Sequence, residues 1–273
     1  MPPSDASTHI AVTGIAGRMG QNIAREILNH ADHMMLSTGF ARKDSVFIGK
    51  DIGEVLHLGP IGITIAEDGS NLLQQSHVLI DFSHPSALGN HLDWCVKTQT
   101  ALVLGTTGFS DTHMDQIKSA AKTIPVLYSA NMSLGVAVVK QAVIQIAHTL
   151  GEEFDIEIVE THHRHKKDAP SGTALMLGEA AAQGLGVDLK ENAVFERYGE
   201  TGERIPGTIG LQTLRGGDVI GDHSVMFLGP SERIEITHKA TNRDLFAKGA
   251  VRAALWLKDQ NPGLYDLNDT LID

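Results

Sequence analysis

Hydrophobic positions along the first half of the chain alternate between two rhythms. Ile10-Ala11-Val12 reads as a short buried strand and runs straight into glycines. From Arg18 to Asn29, residues Met19, Ile23, Ile27 and Leu28 fall on one helical face. Met34 to Phe40 and His77 to Phe82 read as further strands, and Ser86 to Thr98 as a helix. Strand Ala101–Leu104, helix Asp111–Lys122 and strand Pro125–Tyr128 complete the series. Repeated strand–helix–strand units predict a parallel sheet covered on both faces, an α/β fold of Rossmann type.

The rhythm changes near Asn131. Ser133 can cap a long helix in which Val136, Val139, Val143, Ile146 and Leu150 share a face. Phe154 to Ile158 then alternates strictly, as a half-buried strand does. One helix follows, from Ser171 to about Ala182, and then three extended runs, Thr208–Leu214, Ser224–Leu228 and Arg233–His238. Strands without intervening helices predict a mixed sheet and a second domain of α+β type. Asp244–Lys258 reads as a closing helix that returns to the first domain. The expected division is residues 1–130 plus 241–273 for one domain and 131–240 for the other.

Composition narrows the function class. The 273 residues carry 22 Lys plus Arg against 33 Asp plus Glu, a net charge of −11, which argues against a general nucleic-acid binder. The one cysteine, Cys95, lies in an apolar helical run and reads as a small core residue rather than a nucleophile. The stretch from Met1 to His9 has no apolar segment of a signal peptide. The longest apolar run, around Val136–Ile146, is broken by Lys140 and Gln141, so neither a membrane partner nor export is expected and the cytoplasm is the expected location.

Two motifs carry chemistry. Gly14-Ile15-Ala16-Gly17-Arg18-Met19-Gly20 joins the first strand to the first helix with G-x-x-G-x-x-G spacing. Glycines let a backbone approach a pyrophosphate, the helix start offers free N–H groups, and Arg18 adds a positive charge. A tight turn alone would also need glycine. At the end of the second strand, the acid that commonly holds the ribose hydroxyls of NADH is replaced by Ala41, followed by Arg42 and Lys43. That pair suits a 2′-phosphate, so NADPH is favoured over NADH; the alternative is a solvated surface pair. Gly105-Thr106-Thr107-Gly108 and Ala130-Asn131-Met132-Ser133 end later strands, where a nicotinamide would sit, though each also reads as a turn or cap.

The second motif is Glu160-Thr161-His162-His163-Arg164-His165-Lys166-Lys167-Asp168-Ala169-Pro170-Ser171-Gly172-Thr173. Six of the seven residues from His162 to Asp168 are cationic or can become so, against an acidic background. Such a cluster repels itself unless it holds an anion, and the helix that opens at Pro170–Thr173 offers a second anion site. Histidine and lysine beside an anion fit general-acid chemistry. A metal site built on His162, His163 and His165 competes weakly, because cysteine partners and H-E-x-x-H spacing are missing; no metal is expected. A solvated basic loop or a nucleic-acid contact competes to a similar degree.

These residues, with Gly202-Glu203-Arg204-Ile205-Pro206-Gly207-Thr208-Ile209-Gly210 and Glu235-Ile236-Thr237-His238-Lys239-Ala240, resemble the 4-hydroxy-tetrahydrodipicolinate reductase (dihydrodipicolinate reductase) family over nearly the full length. The resemblance implies hydride transfer from NAD(P)H to a cyclic imine dicarboxylate in diaminopimelate–lysine biosynthesis, by a two-domain subunit of a homotetramer. It implies His162 as proton donor and acceptor, Lys166 as proton donor, and His163, Gly172 and Thr173 as ligands of the substrate carboxylates. Cofactor contacts would come from Gly14 to Met19, Arg42, Gly105 to Thr107, and Ser129, Ala130, Asn131 and Met132. Many relatives have Glu before the arginine, where this chain has Ala41. Other two-domain dehydrogenases fit less well: the Glu-Lys-Pro motif of sugar dehydrogenases is missing.

Overall fold

In a computed structural model, residues 7–67, 69 and 71–271 are described. The chain divides into two units, one running to Met132 and resuming at Asp244, the other Ser133–Arg243.

The first unit is built on seven parallel strands: β1 (Thr8–Thr13), β2 (Met34–Phe40), β3 (Ile65–Ala66), β4 (Val78–Asp81), β5 (Ala101–Leu104), β6 (Pro125–Tyr128) and a late strand Gly263–Tyr265. Their spatial order is late strand, β6, β5, β4, β1, β2, β3. The order therefore reverses between β1 and β4, the position where open parallel sheets bind ligands outside the carboxyl ends of their strands. β1, β4 and β5 are buried along their whole length, as expected of strands covered on both faces. Helix α1 (Arg18–Leu28) buries Ile23 and Ile27, α2 (Ile52–Val55) is a single turn capped by Asp51, and α3 (Leu88–Thr98) follows a short 3₁₀ turn. Helix α4 (Asp111–Ala120) is capped by Ser110. Cys95 is buried in α3, and burial pushes its thiol pKa far up, so it is inert.

The second unit opens with α5 (Leu134–Leu150), capped by Ser133. With the 3₁₀ turn that extends it to Glu153, this segment runs 20 residues and is long and apolar enough, by length and composition alone, to cross a membrane. Lys140 and Gln141 interrupt the apolar run but not the helix, which extends from its cap at Ser133 to Leu150 as its periodicity predicts. Val139, Val143 and Ala147 are buried instead in the core of this unit, against α6 (Gly172–Leu185). Between them runs β7 (Asp155–His162), whose residues alternate half-buried and buried without exception. It runs four residues past Ile158, where the sequence pattern stops, and those four residues matter below. After α7 (Leu189–Asn192) come β8 (Ala193–Val194), β9 (Ile209–Arg215), β10 (Gly221–Leu228) and β11 (Arg233–Ala240). The sheet order is β11-β10-β7-β9-β8, with β10 antiparallel to both neighbours and β9 parallel to β7 and β8. This is the mixed sheet that the uninterrupted strands predict.

Helix α8 (Asp244–Leu257) re-enters the first unit against α1, β4, β5 and β6, and the late strand, β12 (Gly263–Tyr265), adds to the edge of β6.

Candidate active site

In the first unit, the turns after β1, β2, β5 and β6 all lie at the carboxyl edge of one parallel sheet. Gly14 has φ +62°, a conformation open to glycine at little cost, and its carbonyl accepts the Gly17 N–H at 2.8 Å. Gly20 is buried because helix and turn touch: a Cβ there would lie 2.3 Å from the Gly14 carbonyl oxygen. Gly17, the N-cap of α1, and Arg18 are exposed. The turn therefore fits a pyrophosphate, with bare backbone and a helix start facing outward. Gly105 lies over the Phe82 ring, which a Cβ would strike at 2.1 Å. Thr106 is buried, Thr107 exposed, and Ser129 Oγ donates to the Asn131 carbonyl at 2.7 Å. Ala130 is exposed, Met132 buried, and Arg42 and Lys43 are exposed just past β2.

Beneath these turns sits Asp81, the last residue of β4 and 1% exposed. Its carboxylate accepts from Thr13 Oγ1 (2.8 Å), the Ser83 N–H (2.8 Å) and His91 Nδ1 (2.7 Å), with Thr106 Oγ1 further off at 3.4 Å. Burial raises the Asp81 pKa. The His91 hydrogen bond and charge, with Ser83 and Thr13, more than offset this and hold it below the usual range. The loops after β1, β4 and β5 are thus tied to one buried anion. Neither Asp81 nor His91 stands out in the sequence, where one ends an apolar run and the other lies inside a helix.

In the second unit, β7 parity puts Glu160 and His162 on the buried face with Ile156 and Ile158. His162 Nδ1 lies 2.5 Å from Glu160 Oε2. Arg215 on β9 donates to both Glu160 oxygens, at 2.8 and 2.9 Å, and Glu160 Oε1 also accepts from the Ser171 N–H (3.1 Å) and Thr213 Oγ1 (3.2 Å). Burial opposes ionisation of Glu160, but Arg215, His162 and the Ser171 N–H outweigh it and keep its pKa below the usual range. Ser171 Oγ caps α6 at Ala174 and shares a 3.0 Å hydrogen bond with His223 Nε2. His223, 4% exposed, stacks edge-on to His162. Burial, with the charge of His162, drives its pKa down to about 4, so it is neutral near pH 7.

The remaining cations gather around this group. Lys166 pairs with the exposed Asp168 carboxylate at 2.8 Å. Desolvation and the charges of Arg243, His165, His162 and Lys166 lower the His163 pKa, and its Nδ1 is buried without a partner. Gly172 is exposed with open space where a Cβ would be, so a ligand can reach its backbone; Thr173 is half-buried beside it. Among the described residues, no group of three or more His, Cys, Asp or Glu side chains is placed to hold a metal ion. Glu160, Arg215 and His223 carry no assigned role in the sequence reading. Extending the alternation of β7 past Ile158 would have flagged Glu160 as a buried charge.

Two family models match the chain. One, "Dihydrodipicolinate reductase, N-terminus", covers residues 8–132; the other, "Dihydrodipicolinate reductase, C-terminus", covers residues 135–271. Among solved structures, the dipicolinate-bound dihydrodipicolinate reductase from Paenisporosarcina sp. TG-14 is 23% identical, with 96% of this chain and 99% of that chain covered at a TM-score of 0.76. An amine dehydrogenase from Mycobacterium smegmatis is 12% identical (96% and 95% covered, TM-score 0.60). The C. glutamicum DAP dehydrogenase in complex with DAP is 13% identical (97% and 94%, TM-score 0.57). At these identities the structures speak to the fold.

Proposed function

The chain belongs to the dihydrodipicolinate reductase family and is an NAD(P)H-dependent oxidoreductase that reduces a cyclic imine dicarboxylate to tetrahydrodipicolinate in diaminopimelate–lysine biosynthesis; on that premise, we propose that His162 and Lys166 supply its proton chemistry. The observation that carries this reading is the grouping of His162, His163 and Lys166 with the start of α6 in one unit. Such a patch offers a dianionic substrate both charge and backbone N–H donors.

When bound, NAD(P)H supplies the hydride. Gly14 to Met19, Gly105 to Thr107 and Ser129 to Met132 would hold it at the carboxyl edge of the parallel sheet, with Arg42 and Lys43 toward a 2′-phosphate. The exposed cations after β2, and the buried Ala41 in place of an acid, support NADPH as the favoured cofactor. His163, Gly172 and Thr173 would bind the substrate carboxylates. His162 Nε2 would deliver the proton that neutralises the charge developing on the reduced ring, a contribution of typically ~10²–10⁴-fold. Lys166, released from Asp168 by the substrate carboxylate, would make the ring more electrophilic and share with His162 the delivery of that single proton, since one hydride and one proton complete the reduction. No metal takes part in this scheme.

We also propose a homotetramer in the cytoplasm. Its support is the sheet face opposite α5 and α6, where Val159, Leu214, Met226 and Leu228 stay partly or fully exposed in one chain. Sedimentation at a single-chain mass would overturn it. The enzyme assignment is tested by following NADPH oxidation with enzymatically generated substrate. Oxidation that depends on substrate is expected; none with NADPH or NADH would reject it.

A further inference from the structure

A buried carboxylate needs a reason to be there, since removing an ion from water costs several kcal/mol unless its partners are well placed. Glu160 is 0% exposed and has five hydrogen bonds from four residues. Arg215 alone would neutralise it, and Arg215 also donates to the Leu214 and Asp168 carbonyls. What Arg215 does not explain is the division of labour between the two oxygens. Oε1 faces structural donors, namely the Ser171 N–H, Thr213 and one arm of Arg215. Oε2 faces His162 Nδ1 and the other arm of Arg215.

We propose that Glu160 is the positioning residue of this site, fixing His162 with Nδ1–H directed inward so that Nε2 is the only nitrogen left for proton transfer. The inference rests on the reading of His162 as proton donor. An ionised Glu160 is acceptor-only, so the nitrogen facing it must carry a proton in both charge states of the imidazole. Release and recovery of a proton are thereby confined to Nε2. The same carboxylate counters the imidazolium in a neighbourhood that contains Arg215, Lys166 and Arg243. Its second oxygen holds the first turn of α6, so the proton donor and the carboxylate-binding turn keep one spacing. His223 does not compete for the role, because it is neutral and touches the His162 ring edge-on.

Glu160→Gln separates these duties. The amide oxygen can keep the Oε1 partners, while an NH₂ group replaces Oε2 and, being a donor, gives up the bond from Arg215 Nη1. That group donates to His162 Nδ1 and forces the opposite tautomer, with the proton on Nε2. The experiment compares wild type, E160Q, E160D and H162Q by steady-state kinetics, with ¹⁵N NMR of the histidine rings and the H162Q spectrum assigning His162. Expected in the wild type is His162 protonated at Nδ1. In E160Q the proton moves to Nε2, and kcat falls by about 10²–10⁴-fold while the substrate KM changes by less than about threefold. E160D, with a carboxylate one methylene short of the ring, loses kcat in the same direction even where E160Q folds poorly. A wild-type His162 protonated only at Nε2 would overturn the proposal. So would E160Q or E160D turning over at the wild-type rate while H162Q is inactive. Full activity in H162Q would instead remove the reading of His162 as donor, and this inference with it.

Discussion

Asp81 offers the sharpest quantitative test of how the nucleotide unit holds together. Replacing it with alanine deletes the acceptor of Thr13, Ser83 and His91 in a place closed to water. Removing one partner of a buried pair typically costs ~3–5 kcal/mol, because the other is left unpaired. Asp81→Asn keeps the Oδ1 bonds to Thr13 and Ser83 and lets His91 accept from the amide after a tautomer shift. Only the charge assistance is lost, about 1–2 kcal/mol. For a unit of this size each kcal/mol moves Tm by ~2–4 °C. Calorimetry at pH 7 should therefore show D81A melting about 6–20 °C low and D81N about 2–8 °C low. Loosened loops should also weaken NADPH binding at least about tenfold in D81A, near 1.4 kcal/mol. The carboxyl is held below its ordinary pKa, so its contribution is complete above about pH 4 and fades as pH falls through the folded value. The gap between wild type and D81A should close over that acid range. A D81A Tm within about 2 °C of wild type at neutral pH, or a gap that stays constant down to pH 3, refutes the anchoring role.

Three further substitutions probe single contacts. Arg42→Ala should raise the Kd of NADPH more than that of NADH in parallel titrations; equal losses would detach Arg42 from the 2′-phosphate. Gly20→Ala puts a Cβ 2.3 Å from the Gly14 carbonyl oxygen, which is backbone and cannot swing away. It should destabilise by about 1–3 kcal/mol and abolish measurable cofactor binding, and wild-type affinity in calorimetric titration would contradict the close helix–turn contact. Gly221→Ala brings a Cβ 2.9 Å from His162 Nε2, so turnover should drop while NADPH affinity, measured by fluorescence, stays unchanged.

The main strands of the parallel sheet were legible because they are short apolar runs alternating with helical periods, and the mixed sheet because β9, β10 and β11 follow one another without a helix. The short elements were not. β12 is three residues, Gly263–Tyr265, and forms only because β6 presents an unpaired edge far away in sequence. β3 and β8 are two residues each, set by pairing with β2 and β9, and α2 is four residues, too short for a period to show. At the site, the cationic residues advertised themselves by density. Their organiser, Glu160, did not, because one acid in a charged run looks like surface until strand parity places it inside. Asp81 was hidden for a similar reason: its partners Thr13, His91 and Thr106 come from three separate segments that only the sheet brings together.

The route of the chain through the two units has a consequence in time. Sheet order places β12 beside β6, and α8 covers β4 to β6, yet roughly 110 residues of the second unit separate them along the chain. A ribosome adding about 5–20 residues per second needs about 6–22 s to make that stretch. Throughout it, the edge of β6 is unpaired, and the apolar surface later covered by Ala250, Val251, Ala254 and Leu257 is bare. The nucleotide unit is begun first and closed last, and the nascent chain must keep an open sheet from aggregating while its neighbour is still being made.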